Sequence, residues 1–252
     1  MTVTMPSIVS DGAPLDPLGA GHQVFEGALL GHAAVVIWND VTREGREPFY
    51  AWHDREHMPE RLAIPGFRRG RRFARPGHSP EWLTIYEADD LSVLTSSAYL
   101  ARLNAPTPGT VETVRHFQNT SRAVCCVVHS VGAGTGGHML AMRPDVPSEQ
   151  SNAMCRTLCV EAFPRVMQLT GVVACHLYAA DTAASFVNTK ESSNRAIDVP
   201  SWVVLCEATG AAAAAKARAQ LDIDALRALG VTWRDDAAIY ALEICLLSQS
   251  RR

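Results

Sequence analysis

Charged and aromatic side chains are scarce in this sequence. Asp, Glu, Lys and Arg make up 19% of the 252 residues, aromatics 7%, and the formal net charge is −3. Without a positive excess, a protein held to nucleic acid by phosphate contacts is excluded. With 47% hydrophobic residues the chain is too apolar to be disordered. Long apolar runs are also missing, since none reaches the roughly 20 residues of a membrane helix. The first residues, MTVTMPSIVSDGAPLDPLGAG, lack the basic start and apolar stretch of a secretory signal, so a cytoplasmic protein is expected. The seven cysteines are odd in number and form no CxxC pair. Cys125, Cys126, Cys206 and Cys245 lie in apolar stretches, which suits buried free thiols better than disulfides.

What is present is an internal repeat. GHAAVVIWND at Gly31 matches GHMLAMRPDV at Gly137. EHMPERLAIPGFRRGRRF matches EAFPRVMQLTGVVACHLY, pairing Glu56 with Glu161, Pro59 with Pro164, Gly66 with Gly171 and Phe73 with Tyr178. PEWLTIYEADD matches PSWVVLCEATG, pairing Trp82 with Trp202 and Glu87 with Glu207. The offset steps from 105 to 120, so the second copy carries a 15-residue insertion, in the polar stretch around 182–200. Each copy reads strand–helix–strand–strand–helix–strand, the ferredoxin-like unit. Such a unit leaves one sheet face bare. Two can cover each other sheet to sheet, so an α+β fold is expected: two tandem βαββαβ units forming an intramolecular dimeric α/β barrel. The expected boundaries are an irregular arm at 1–30, a first half at 31–129, a Gly-rich junction at 130–136 and a second half at 137–247. Gly132, Gly134 and Gly137 match a dinucleotide fingerprint in letters, but the repeat places a strand after them where that fingerprint needs a helix.

The segment WHDREHMPERLAIPGFRRGRRF, with PEWLTIYEADD and SAYLARLNAPTP, resembles the EthD-like group of the dimeric α/β-barrel superfamily, over about Ala33 to Val128. That superfamily includes muconolactone isomerases, polyketide cyclases and dehydratases, cofactor-independent quinone-forming monooxygenases and haem-binding members. The resemblance implies this fold and a loose activity class: small, often aromatic or alicyclic molecules, frequently handled without a cofactor.

The densest polar cluster is His53, Asp54, Glu56 and His57 on the first helix. His53 and His57 share a helix face, and Glu56 lies beside His53. An imidazole next to a carboxylate can work as a general acid/base pair near neutral pH. The second copy has Leu158, Cys159, Glu161 and Ala162 there, so only the first half is expected to be active. The same letters spell H-x-x-E-H, a zinc-peptidase pattern that also needs a further ligand, and no metal is assigned. Residues 41–75 carry nine arginines against five acidic residues. Alternation puts Phe67, Arg69, Arg71 and Phe73 on one strand face and Arg68 and Arg72 on the other. Arg71, matched by His176 in the repeat, is the candidate oxyanion holder. Trp38, Trp52, Trp82, Tyr86 and Tyr99 are candidates to line an apolar pocket.

The function expected from these residues is a cofactor-independent lyase or isomerase for a small cyclic or aromatic metabolite, with an anionic substrate left open. His53 would be the base, His57 the partner acid or anchor, and Glu56 the residue orienting an imidazole. The alternatives are a cofactor-free or metal-assisted oxygenase of the same fold, and a non-catalytic ligand-binding or accessory protein. No cofactor, nucleic-acid or membrane partner is expected. The 182–200 insertion reads as a surface loop, a lid or an oligomer contact, and a homodimer formed through the N-terminal arm stays open.

Overall fold

The apolar run at 33–41 buries residues on both faces of its strand, as a strand between two layers must. In the computed structural model, residues 28–193, 196–221, 223–234 and 237–249 are described, with the backbone of a short pairing of Val9–Ser10 against Ala13–Pro14. Most of the expected arm at 1–30 lies outside the described residues. The first half runs β1 (Ala33–Val41), α1 (46–62), β2 (Phe67–Ala74), β3 (Trp82–Ala88), α2 (Leu91–Leu94), α3 (Ser97–Asn104), α4 (Pro108–Val114) and β4 (Phe117–Val131). The second runs β5 (His138–Met142), α5 (151–167), β6 (Val172–Ala180), α6 (Thr182–Ser185), β7 (Trp202–Ala208), α7 (Ala211–Gln220), α8 (Ile223–Ala228) and β8 (Ala238–Leu247).

The strands close into one antiparallel barrel in the order β7-β5-β8-β2-β3-β1-β4-β6. Each half contributes four strands. The halves are joined edge to edge at two seams: Cys125 of β4 faces Ala180 of β6, and Arg72 of β2 faces Ile244 of β8. The expected sheet-to-sheet burial is therefore accompanied by hydrogen-bonded seams that leave neither half a free edge. Inside the barrel pack Trp38, Phe73, Ile85, Tyr178, Leu205 and Tyr240. Outside it, a separate apolar layer lies under the helices of each half.

Both first helices share one irregularity. Helix α1 is made of Arg46–Trp52, a wide π-type turn at His53–His57, and Met58–Leu62. Helix α5 repeats this with Ser151–Arg156, Thr157–Ala162 and Phe163–Met167. The Met58 N–H bonds to the His53 carbonyl and the Phe163 N–H to that of Leu158, each five residues back. Pro59 and Pro164 follow directly. A proline inside a helix has no N–H and crowds the carbonyl four residues earlier, which accounts for the widened turn in both copies. The recurring Gly66 and Gly171 both stand at φ +90° after these helices, a left-handed conformation that glycine adopts without strain.

Three expectations change in detail. The helix expected after Asp90 is two: Asp90 caps α2 through the Ser92 N–H, and Ser96 starts α3 anew. Helix α4, capped by Thr107 and opened by Pro108, is additional to the expected order. The alanine-rich helix of the second half is interrupted at Leu221, whose backbone is extended. The glycines at 132–137 join β4 directly to β5, with no helix following them.

Candidate functional site

Helix α1 lays His53, His57 and Arg61 on one face, four residues apart, against the outer face of β2 and β3. All three are buried. The His53 ring sits on Phe49 at 5.3 Å between centroids and 5.9 Å from the His57 ring, which lies 4.2 Å from that of Trp52. Gly70 allows this close approach: a Cβ there would meet Met58 at 2.9 Å and the Tyr86 ring at 3.1 Å.

The His53 ring is held at both nitrogens. Arg72 Nη1 donates to Nδ1 at 2.8 Å, and the Tyr86 hydroxyl lies 3.1 Å from Nε2. Arginine has only donors, so Nδ1 must accept and the ring proton of neutral His53 sits on Nε2, directed at the Tyr86 oxygen. Burial, then the charges of Arg72 and Arg61, push the His53 pKa well below its ordinary value, so the ring stays neutral. Burial likewise raises the Tyr86 pKa, and the phenol keeps its proton. That proton is free to point elsewhere, because the His53 bond uses only the oxygen lone pair.

A cavity of about 60 Å³ lies between α1 and the sheet, lined by His57, Tyr86, Arg61, Trp52, Tyr99 and Arg122 among others. Its polar walls are an imidazole, two phenols, two guanidiniums, the Glu191 carboxylate and the Thr120 hydroxyl. Arg122 Nη2 donates to the Tyr99 hydroxyl at 3.2 Å. Arg61 forms a salt bridge with Glu191, which belongs to the insertion. The insertion crosses the mouth of the first half: Asp198 exchanges backbone hydrogen bonds with Thr120 and Arg122, and the Glu191 N–H bonds to the Leu103 carbonyl. The segment, part of the second half, thus lies over the first. Two wider spaces, about 240 and 590 Å³, flank it and also touch Glu191.

Several expected residues stand elsewhere. Glu56 does not orient His53; it accepts a hydrogen bond from the Thr107 hydroxyl at the start of α4, and a Cβ on Gly109 would meet its carboxylate at 2.8 Å. Arg71 and His176 are on the opposite side of the sheet, inside the barrel, and reach no helix-side residue of the site. Arg71 donates to Glu207 at 2.8 Å and to Glu87 at 3.1 Å, while His176 lies 2.9 Å from the Ser130 hydroxyl and 3.4 Å from Glu207. The oxyanion role expected of Arg71 therefore fails on position: its charge is consumed by two buried carboxylates. Burial opposes the Glu207 charge, but the His176 hydrogen bond, the Arg71 charge and the Gly136 N–H outweigh it and hold the Glu207 pKa at about 2. Trp38 is barrel core beneath Arg143, and Trp82 packs on Phe49 with its indole N–H on the Tyr50 hydroxyl at 3.3 Å. Trp52 and Tyr86 do line the cavity.

The arginine excess at 41–75 is neutralised largely from outside that segment. Arg46 pairs with Glu81, Arg68 with Asp89, Arg69 with Glu87, and Arg72 with Glu243 as well as Asp54. A bulge between Phe67 and Arg69 breaks strict alternation, so Phe67 faces the helices while Arg69 and Arg71 face the interior. Among the described residues, no group of three or more His, Cys, Asp or Glu side chains is arranged to hold a metal ion. No helix of the described residues is long and apolar enough to cross a membrane.

Comparisons with known proteins agree with this architecture. No protein-family model matches the chain, and no curated protein matches it in sequence. Among solved structures, an anthrone oxidase-like protein superposes with a TM-score of 0.59 at 12% identity, over 87% of this chain and 94% of that one. A protein provisionally named a chlorite dismutase gives 0.53 at 8% identity, over 85% of this chain and 96% of that one. A mutant chlorite dismutase from Candidatus Nitrospira defluvii, in complex with cyanide, gives 0.51 at 9% identity, over 84% of this chain and 90% of that one. The fold is that of the dimeric α/β barrels built from ferredoxin-like halves.

Proposed function

We propose that the chain is an acid–base enzyme of the lyase or isomerase type, working without a cofactor on a small cyclic or aromatic compound with an ionisable oxygen near the reacting carbon. The EthD-like resemblance belongs to this reading. One observation carries it: His57, Tyr86, Arg61 and Arg122 of the first half converge on one covered cavity.

In this reading the base is His57, which lines the cavity, and not His53, whose two nitrogens are both engaged. A neutral His57 takes a proton from the carbon next to a carbonyl. The electron pair moves onto the carbonyl oxygen, which accepts a hydrogen bond from the neutral Tyr86 hydroxyl and sits in the field of the guanidiniums. The protonated His57 then returns its proton, either to another carbon, completing an isomerisation, or to a departing hydroxyl, completing a dehydration. His53 acts through Tyr86 as a positioning residue. Arg72, tied to Asp54 and Glu243, fixes the His53 tautomer.

The test is turnover over a panel of enolisable cyclic ketones and phenols, under air and under argon. The proposal expects turnover that survives without oxygen and collapses in His57→Ala. Full activity in that variant would refute it. An oxygenase is the second reading, favoured by the fold shared with the anthrone oxidase-like protein. It starts from the same proton removal, and it predicts turnover that stops under argon.

A further inference from the structure

The cavity just assigned is too small for a ring. Its volume of about 60 Å³ is less than half of the roughly 150 Å³ of an apolar cavity that takes up benzene. Glu191 is the side chain that borders it and both of the larger spaces, with Tyr99, Arg122 and Ile197 also shared with the smaller of the two and Val114, Phe117 and Thr120 with the larger. We propose that the Glu191 carboxylate stands in for the ligand's own anionic group, and that a small aromatic carboxylate or phenolate binds by displacing it from Arg61. This rests on the placement of the ligand site given above, though not on the reaction assigned to it.

The Arg61 side chain is only 3% exposed. A guanidinium at that depth requires an anion, because an unpaired buried charge is costly. Its partners are Glu191 and, at 3.3 Å, Glu60, which also holds Arg102. Glu60 belongs to α1 and stays with it. Glu191 does not belong to the repeated scaffold at all, since it comes from the insertion present only in the second copy. Its stretch is tied to α3 by the Glu191 N–H on the Leu103 carbonyl at 3.1 Å and the Lys190 N–H on Asn104 Oδ1 at 3.2 Å.

The ion pair is not needed to fill the layer. The counterpart of Arg61 in the second half is Val166, which packs there as ordinary core. A buried ion pair that a valine can replace gives little net stability, so its presence calls for another role. The second guanidinium of the cavity points the same way. Arg122 forms no salt bridge among the described residues and bonds instead to the Tyr99 hydroxyl. With Glu191 in place one of the two charges is neutralised. A ligand anion inserted between them would meet both, while Trp52, Tyr99 and Phe117 offer flat apolar walls to its ring.

Calorimetric titration of the full chain with benzoate, against benzamide as the uncharged isostere, tests this. Glu191→Gln removes the competing charge and is expected to bind benzoate at least tenfold more tightly than the parent chain, with benzamide unchanged. Equal or weaker benzoate binding in the variant would overturn the inference, as would an equal gain for benzamide. Should Glu191→Gln not fold, Glu191→Asp keeps the charge but shortens its reach, and the same ordering with a smaller gain is expected. Tight benzoate binding in a protein that turns over no enolisable substrate would keep this inference and refute the acid–base reading. Turnover lost in His57→Ala, with benzoate binding indifferent to Glu191, would do the reverse.

Discussion

The two halves share a backbone down to the wide turn in the first helix, yet the same place is a polar site in one and plain core in the other. By the repeat offsets, His53, His57, Arg61, Arg72 and Tyr86 correspond to Leu158, Ala162, Val166, Leu177 and Cys206. All five of the latter are buried in the apolar layer between α5 and its sheet. The helix–sheet interface is thus competent as core, and polar groups there cost stability unless every one finds a partner. The first half supplies such partners to Arg72, His53 and Tyr86 in one chain and to Arg61 through Glu191. The second half carries none of these polar groups at the matching positions; it closes the barrel and supplies the cover. The barrel interior behaves differently. There the halves stay similar, with Glu87 matched by Glu207 and Arg71 by His176, and all four meet in one network.

The largest effect should come from breaking that shared network. Arg71→Ala leaves Glu87 and Glu207 with less countercharge in the interior and should cost about 3–5 kcal/mol, read as a lower denaturation midpoint. Arg68→Ala on the same strand, half exposed, should cost under about 1 kcal/mol. Next, His57→Ala should lower kcat by about 10²–10⁴-fold, the usual share of a general base. Its counterpart change, Ala162→Ser, should leave kcat within about twofold, being far from the cavity; a comparable loss would erase the distinction between the halves. Transplanting the histidine sharpens the comparison further. Leu158→His places an imidazole among Leu177 and Cys206 without the arginine and tyrosine of the first half, and should destabilise by about 1–3 kcal/mol with no gain of activity.

A smaller effect concerns pH. The folded-state pKa of His53 is depressed below the ordinary 6.5. Below 6.5 the unfolded chain therefore binds a proton that the folded chain refuses, and stability falls as pH drops through that value. The contribution is up to about 1.4 kcal/mol per pH unit. His53→Gln, which cannot protonate, should flatten the difference between pH 7 and pH 5 in denaturant titrations; an unchanged slope would mean that His53 is not held neutral. Smallest of all, Glu56→Ala unties the Thr107 hydroxyl and should cost about 1 kcal/mol, against about 0.5 kcal/mol or less for its exposed counterpart in Glu161→Ala.

Much of this fold is legible in the letters because a repeat carries long-range information: Gly66 with Gly171, and Glu87 with Glu207, announce two equivalent units before any pairing is known. The site is legible in part. The loss of both histidines in the second copy singles out the helix face that lines the cavity, and the i+4 spacing could have extended it to Arg61. Other features depend on geometry that letters do not carry. The bulge after Phe67 leaves Arg71 inside and Arg72 outside, so the arginine that meets His53 is the neighbour of the one expected. Glu56, one position off the histidine stripe, turns to Thr107 instead of an imidazole. Arg122 and Glu191 meet α1 only through barrel closure and the course of the insertion, and no local pattern marks either one.

In the proposed reading, ligands bind between α1 and the sheet of the first half, and not in the barrel interior or under the helices of the second half. Side-chain ¹H–¹⁵N correlation spectra of the histidines, recorded while benzoate is titrated into the Glu191→Gln chain, test it directly. The His57 resonance is expected to move most and His53 to follow through Tyr86, while His129 and His176 stay in place. A titration that shifts His176 and leaves His57 unmoved would contradict the claim.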